Sequence, residues 1–309
     1  MLRLSVIIPV VRTLPRLEDT LVSVLEYGPD NCQVIVVLDQ PYSDPYGLEG
    51  EITFIRAGEG LQLARALNLG CRAASGEWIH FLPCGNLVAR NWAENALTHA
   101  TDRRIGVIVP LTVDARDESR ILAAGMGYDN AGRLVHLQRG VSLEGTTLAH
   151  RSRVLPHFSG AFFRRDTLLA LGGADESLGD GWVLADVTLQ FFRAGFVSVL
   201  EPTCVVRGDP ALEPVGYDYA AARDAERFFW RWSDRRGSTI LRHLALLTGQ
   251  TLAALPRGQL WPHVAGRLAG WRGSAATGLV KNNGTLRSAI RQNACDRSPP
   301  EASYIAKAG

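Results

Sequence analysis

Residues 4–10 read LSVIIPV and residues 33–38 read QVIVVL. Both runs are short, almost wholly apolar and rich in β-branched side chains, so they read as buried strands. The first closes on Pro9 and Val10, and the second runs into Asp39. Between them, Leu14, Leu17, Leu21, Val24 and Leu25 share one helical face over Leu14–Tyr27, and Gly28-Pro29 stops that helix. Working outward, Ile52–Ile55 reads as a third strand and Gly60–Ala74 as a helix with Leu63, Leu67 and Cys71 turned inward. Glu77–Leu82 (EWIHFL) reads as a fourth strand and Ile105–Leu111 as a fifth. Strands that alternate with helices and lack a polar face belong to a parallel sheet covered on both sides. The expected fold class is therefore α/β, a mostly parallel Rossmann-like sheet with helices on both faces. Ligands in such sheets lie beyond the carboxyl ends of the strands, which here are Pro9, Asp39 and Pro83-Cys84-Gly85-Asn86.

Past Leu111 the pattern is less regular. Tyr128–His136 reads as a hairpin turning at Asp129-Asn130-Ala131-Gly132, and Ser159–Phe163 is short and apolar. Asp166–Leu171 reads as a helix capped by Asp166 and stopped by Gly172-Gly173. Asp186–Ala194 reads as another helix, ended by Gly195, before Phe196–Val206 returns as a strand. From Tyr219 the chain becomes helical and rich in arginine.

These segments carry a resemblance. Ser5-Val6-Ile7-Ile8-Pro9-Val10 and Val36-Val37-Leu38-Asp39, with Ser43-Asp44 behind, resemble the first strands of family 2 glycosyltransferases. Leu67-Asn68-Leu69-Gly70, Ala74-Ser75-Gly76-Glu77-Trp78-Ile79 and Phe81-Leu82 resemble the approach to that family's metal motif. Ser159–Arg165, Leu171–Glu176 and Asp186-Val187-Thr188-Leu189 resemble its acceptor-side segments. The resemblance spans about the first 210 residues in the family's order. It implies a GT-A fold and transfer of a sugar, with inversion, from a nucleotide-sugar donor to a glycan or lipid-linked acceptor, as in cell-envelope polysaccharide synthesis. It also implies a domain over 1–218, with a nucleotide-binding half (1–111) and an acceptor half (112–218), followed by a basic helical region over 219–309.

The departures are equally specific. The family's Asp-x-Asp, which holds Mg²⁺ or Mn²⁺ against the diphosphate, should follow Phe81-Leu82, where this chain has Pro83-Cys84-Gly85-Asn86. Hard cations want oxygen ligands, so no metal ligand is assigned and metal-independent transfer is expected. The tyrosine and asparagine often found after the first strand are Val11 and Arg12, Ala185 precedes Asp186 in place of a second acid, and Arg207-Gly208-Asp209 replaces a histidine. A catalytically inactive homologue that binds or regulates a partner is the alternative, since fold alone does not establish chemistry.

By resemblance, Asp39 would bond the base or ribose, and Pro9 and Val10 would line the base pocket; a turn-forming aspartate and plain strand termination are the competing readings. Gly85 and Asn86 would sit at the diphosphate, with Arg65 as the cation that offsets its charge; Arg65 also suits a solvated helix position. Asp186 is the candidate base, because an inverting transfer needs one carboxylate to take the acceptor's proton. A helix-capping role competes with it. Trp182 would stack on the acceptor sugar or bury in the core, and Asp175 and Glu176 would order a turn. His80, in an apolar strand, reads as a satisfied core histidine. The seven histidines and five cysteines show no metal-ligand spacing.

Composition sets outer bounds. With 46% hydrophobic and 21% charged residues the chain can bury a full core. The odd, scattered cysteines suit a reduced, cytoplasmic protein, and a strand-like run just after Met1 leaves no room for a signal peptide. The net charge of +2 conceals an asymmetry: residues 220–309 hold 14 Lys and Arg against 5 Asp and Glu, and residues 1–219 hold 19 against 26. The basic region, with Phe228, Phe229, Trp230, Trp232, Leu241, Leu244, Leu247 and Trp261 among its arginines, suits peripheral contact with an anionic membrane face, or packing onto the body. No recognition motif points to nucleic acid.

Overall fold

A computed structural model describes residues 4–11, 13–213, 218–234 and 236–276. Met1–Gly278 forms one compact unit. The second unit, Leu279–Gly309, lies outside the described residues, as do Arg12 and Cys295.

Strands β1 (Leu4–Val10), β2 (Cys32–Leu38) and β3 (Ile52–Arg56) pair in parallel, and β4 (Trp78–Phe81) joins the other side of β1 in the same direction. After the two-residue strand β5 (Leu87–Val88) comes the long β6 (Ile105–Asp114), with β7 (Asp117–Ala123) folded back against its end. Strands β8 (Met126–Tyr128) and β9 (Leu134–His136) form the expected hairpin as a separate ribbon. Strand β10 (Ala161–Arg164) runs antiparallel between β4 and β6, and β11 (Val197–Gly208) lies parallel to β6. The main sheet order is β3-β2-β1-β4-β10-β6-β11-β5.

Helices cover both faces because neighbouring side chains of each strand point opposite ways. Ile7 joins the core under α2 (Leu63–Ala73), α4 (Arg165–Ala170) and α5 (Val183–Arg193). Val6, Ile8 and Val10 join the core under α1 (Leu17–Tyr27) and α3 (Trp92–Leu97). Helix α2 lies very close to β1: a Cβ on Gly70 would stand 2.4 Å from Ile7 Cγ2, so only glycine fits there. Asn68, two residues earlier, accepts from the Ala174 amide (2.8 Å) and donates to the Ala174 carbonyl (3.0 Å) and Glu176 Oε1 (2.8 Å). Two segments more than a hundred residues apart are thus clipped together through one side chain.

Helices α6 (Tyr219–Trp232), α7 (Gly237–Ala254) and α8 (Leu260–Ala276) complete the described residues. Phe228 of α6 is buried against Trp182, with ring centroids 4.5 Å apart, so α6 is part of the body. No described helix is long and apolar enough to cross a membrane.

Three local expectations change. Leu25 is exposed, because Leu17, Leu21 and Val24 already fill the buried face of α1. Asp166 does not cap α4; the N-cap is Arg164, and Asp166 lies in the first turn beside Arg165. Helix α5 starts at Val183, led in by a 3₁₀ turn over Asp180–Trp182, so Asp186 is inside the helix and caps nothing.

Candidate active site

The carboxyl ends of β1 and β4 meet, as the topology requires. A cavity of about 150 Å³ opens at the carboxyl edge, walled by Pro9 and Val11 after β1, Pro83, Cys84 and Asn86 after β4, and Leu63 at the start of α2. Across from them stand His157, Phe158 and Ser159, just before β10, together with Asp180. Asp209, Leu212 and Glu213, which follow β11, form the third side.

That third side is strapped down. Asp209 takes Arg16 at 2.6 Å and Arg116 at 3.1 Å. Burial pushes its carboxyl up, but the Ala211 amide and these two guanidinium groups bring it below the usual range. Leu212 fills the space over Gly85, where a Cβ would meet Leu212 Cδ1 at 2.5 Å; Gly85 has φ +95°, which also favours glycine. Glu213 takes Arg139 at 2.9 Å and His157 Nε2 at 3.3 Å. The Ser159 amide donates to His157 Nδ1 (3.2 Å), so Nδ1 is the acceptor and Nε2 carries the hydrogen toward Glu213. Ser159 Oγ lies 3.1 Å from the same Nδ1 and 2.6 Å from Thr112 Oγ1.

Of the residues singled out from sequence, Pro9 and Asn86 line the cavity, with Gly85 behind Leu212. Val10 is buried in β1, Asp39 is buried at the end of β2, and Arg65 is exposed on α2; none is on the cavity wall. Trp182 packs on Phe228. Asp186 is buried under α6, where Oδ1 accepts from Trp232 Nε1 (2.8 Å) and faces Arg231 Nε (3.1 Å), while Oδ2 accepts from Gln190 (2.8 Å). Burial raises its pKa, against the opposing pull of Arg231 and Trp232. Arg231 also bridges to Asp175, so one arginine ties the Gly172-Gly173 turn to α5. His80 is fully buried, stacked on Phe162 at 4.1 Å, and neither ring nitrogen has a hydrogen-bond partner; it is a core histidine, but not a satisfied one.

His157, Asp180 and Glu213 went unnoticed in sequence. Asp180 accepts from the Leu63 amide (2.8 Å), joining the turn ahead of α5 to α2. Its one signal was its place between Gly179 and Gly181, just ahead of Asp186. His157 and Glu213 meet only through the fold, 56 positions apart.

Comparison with protein families matches residues 5–168, just over half of the chain, to the model for glycosyl transferase family 2. The chain belongs to glycosyltransferase family 2. No curated protein sequence matches it. Among solved structures it is similar to GalNAc-T7 crystallised with UDP, GalNAc and Mn²⁺, at 17% identity and TM-score 0.60 over 76% of this chain, which spans only 49% of that one. It is also similar to the mannosyltransferase PcManGT from Pyrobaculum calidifontis in complex with GDP-Man and Mn²⁺, at 18% identity and TM-score 0.52 over 95% of this chain and 80% of that one. The fold is accordingly GT-A.

Both of those structures hold Mn²⁺, yet the residues after β4 do not fit such an ion in this family member. Pro83 and Gly85 carry no ligand atom, and the Asn86 amide donates to the Pro83 carbonyl (2.6 Å). The Cys84 thiol points at the Thr13 carbonyl (3.3 Å), and burial raises its pKa, which keeps it protonated. His136, His157 and Glu213 converge nearby. A cation already sits among them: Arg139 Nη1 is 2.8 Å from His136 Nδ1 and 2.9 Å from both Glu213 oxygens.

Proposed function

We propose that the protein is an inverting glycosyltransferase that uses a nucleotide-sugar donor and a glycan or lipid-linked acceptor, with no metal ion at the β4 turn. One observation carries this reading: a single cavity brings the donor-side ends of β1 and β4 against the acceptor-side residues His157–Ser159 and Asp180. An acceptor hydroxyl placed there loses its proton to a carboxylate and attacks the anomeric carbon. The bond to the diphosphate breaks from the opposite face, and the configuration inverts. Asp186 is the proposed base; for it to act, the contacts with Trp232 and Arg231 must open. Without a metal, the diphosphate needs cations. Arg65 is exposed on α2, two residues past the cavity-lining Leu63, and Arg16 and Arg116 already hold an anion in Asp209. At about 150 Å³ the cavity is smaller than the ~300–1,000 Å³ of sites that enclose a drug-sized ligand, so the donor would displace the 209–213 segment.

The sealing of Asp186 and that strap favour one other reading, a homologue that keeps the fold without turnover. Calorimetric titration with UDP- and GDP-sugars, with and without Mn²⁺, separates the two. The expected result is binding that ignores Mn²⁺ and chelator and that weakens about ten- to a hundredfold in Arg65→Ala. Asp186→Asn should keep binding and lose turnover. A folded protein that binds no nucleotide sugar would instead establish the inactive homologue.

A second element of the proposal is peripheral contact with an anionic membrane face. Helix α7 exposes Leu241, Leu244 and Leu252, and α8 exposes Trp261, Leu268 and Trp271. These lie in the region that carries the chain's excess of positive charge.

A further inference from the structure

Away from the cavity, three segments converge on one buried carboxylate. Glu201 lies in β11 where the pairing with β6 becomes irregular, and its side chain is 4% exposed. His99 comes from the 3₁₀ turn over Thr98–Thr101 that follows α3, and its Nε2 is 2.7 Å from Glu201 Oε2. His150 comes from the long connection before β10, and its Nδ1 is 3.3 Å from the same oxygen. That connection is held in place by backbone bonds to β11, Leu200 N to Arg151 O (2.8 Å) and Arg153 N to Ser198 O (2.9 Å). The other carboxylate oxygen is already committed, since Oε1 accepts from the Thr203 amide (2.9 Å) and hydroxyl (2.6 Å).

The charge balance at this spot differs from that at four other buried carboxylates. The buried carboxylates of Asp186, Asp209, Asp224 and Glu226 each have an arginine within ion-pair distance. Among the described residues, Glu201 has only the two imidazoles. Imidazole is a weak base that brings no permanent charge at neutral pH, and a buried anion is ordinarily paired or bound to a metal. The cavity cluster of His136, His157 and Glu213 differs on just this point, because Arg139 supplies its cation.

We propose that His99, His150 and Glu201 bind a divalent cation of the zinc class, using two imidazole nitrogens and carboxylate Oε2, with a fourth position open to solvent. Bonds of ~2.0–2.2 Å in a tetrahedral site put ligand atoms about 3.4 Å apart. The observed separations from Oε2 are 2.7 and 3.3 Å, and the three ligand atoms all lie within 4.8 Å of one another, so side-chain adjustment would admit the ion. Nitrogen-rich ligands select Zn²⁺, Co²⁺ or Ni²⁺ over Mg²⁺. The bound ion would pin the connection around His150 to the sheet. The proposal stands apart from sugar transfer and does not depend on it.

The test is titration of chelator-stripped, full-length protein with Zn²⁺, by calorimetry and by competition with a chromophoric chelator. One tight equivalent is expected, with a Co²⁺ form that absorbs in the visible. His150→Ala and His99→Ala should each weaken binding at least about tenfold, the loss seen even for outer partners of a metal site. His150 is 59% exposed, so its replacement leaves the fold intact. Glu213→Gln, in the cavity cluster, should leave binding unchanged. Unaltered affinity in His99→Ala and His150→Ala, loss of binding in Glu213→Gln, or no tight equivalent at all would each overturn the proposal.

Discussion

His80 lies between the rings of Trp92 and Phe162 with no hydrogen-bond partner, and its burial pushes its pKa down to about 3. The unfolded chain holds the proton up to its ordinary pKa of about 6.5. Between those two values the folded state binds fewer protons, so stability contributed by a neutral His80 is complete above pH 6.5 and is lost as pH falls. The slope is about 1.4 kcal/mol per pH unit. Denaturant unfolding at pH 7 and pH 5 should show the wild type losing roughly 2 kcal/mol more than His80→Leu; equal losses would mean that His80 is hydrated or paired. The identity of this residue as core was legible from its apolar strand, but its lack of partners was not. The same holds for Asp186. The resemblance of Asp186-Val187-Thr188-Leu189 marked it in sequence, whereas its environment is set by Arg231 and Trp232, 45 or more positions later. Contacts made by the fold across such distances leave no periodic trace, which is why His157, Glu213 and the Glu201 cluster were also missed.

At the scale of elements, strands were easiest to read, because continuous β-branched runs have few other solutions. Leu4–Val10 matches β1 residue for residue, and β2, β3 and β4 lie within two residues of expectation. Helix starts were harder, since Asp166 and Asp186 both look like caps and neither is one. The packing of α8 on α6 was not legible at all, although two glycines decide it. A Cβ on Gly266 would stand 2.3 Å from the Tyr219 carbonyl oxygen, and one on Gly270 would stand 2.4 Å from that of Arg223. Backbone cannot yield as a flexible side chain can, so Gly270→Ala must push the helices apart, at a cost of about 1–3 kcal/mol. Gly249 in α7 has no atom within 4 Å of its would-be Cβ. Gly249→Ala should therefore be neutral or stabilise by up to about 1 kcal/mol through helix propensity alone. Thermal unfolding should show Gly270→Ala lowered and Gly249→Ala unchanged or raised, and an equal loss in both would sink the close-packing account.

At the scale of the whole molecule, the acidic body and basic tail were legible as charge counts, but how the tail's apolar residues divide was not. The structure splits them: Phe228 and Phe229 are buried, while Trp261 is 78% and Leu241 69% exposed. Removing everything from Tyr219 onward is therefore a poor test of membrane contact, since it would also unseat α6 from Trp182 and Asp186. Point changes on the exposed face are cleaner. Leu241, Leu244, Leu252 and Leu255 recur at helical spacing along and just past α7, and Trp261, Leu268 and Trp271 do so along α8. Full burial of one such side chain is worth about 1.5–3 kcal/mol, and each basic residue near an anionic surface adds about 1 kcal/mol that salt removes. Sedimentation with phosphatidylglycerol-containing vesicles should thus show binding that falls with salt and falls about tenfold or more in Leu241→Ser with Trp261→Ser. The melting temperature should hold, because both side chains face solvent. Neutral phosphatidylcholine vesicles should bind less. If the double substitution leaves vesicle binding unchanged but alters the oligomeric state, this face joins two copies of the chain and the membrane reading fails.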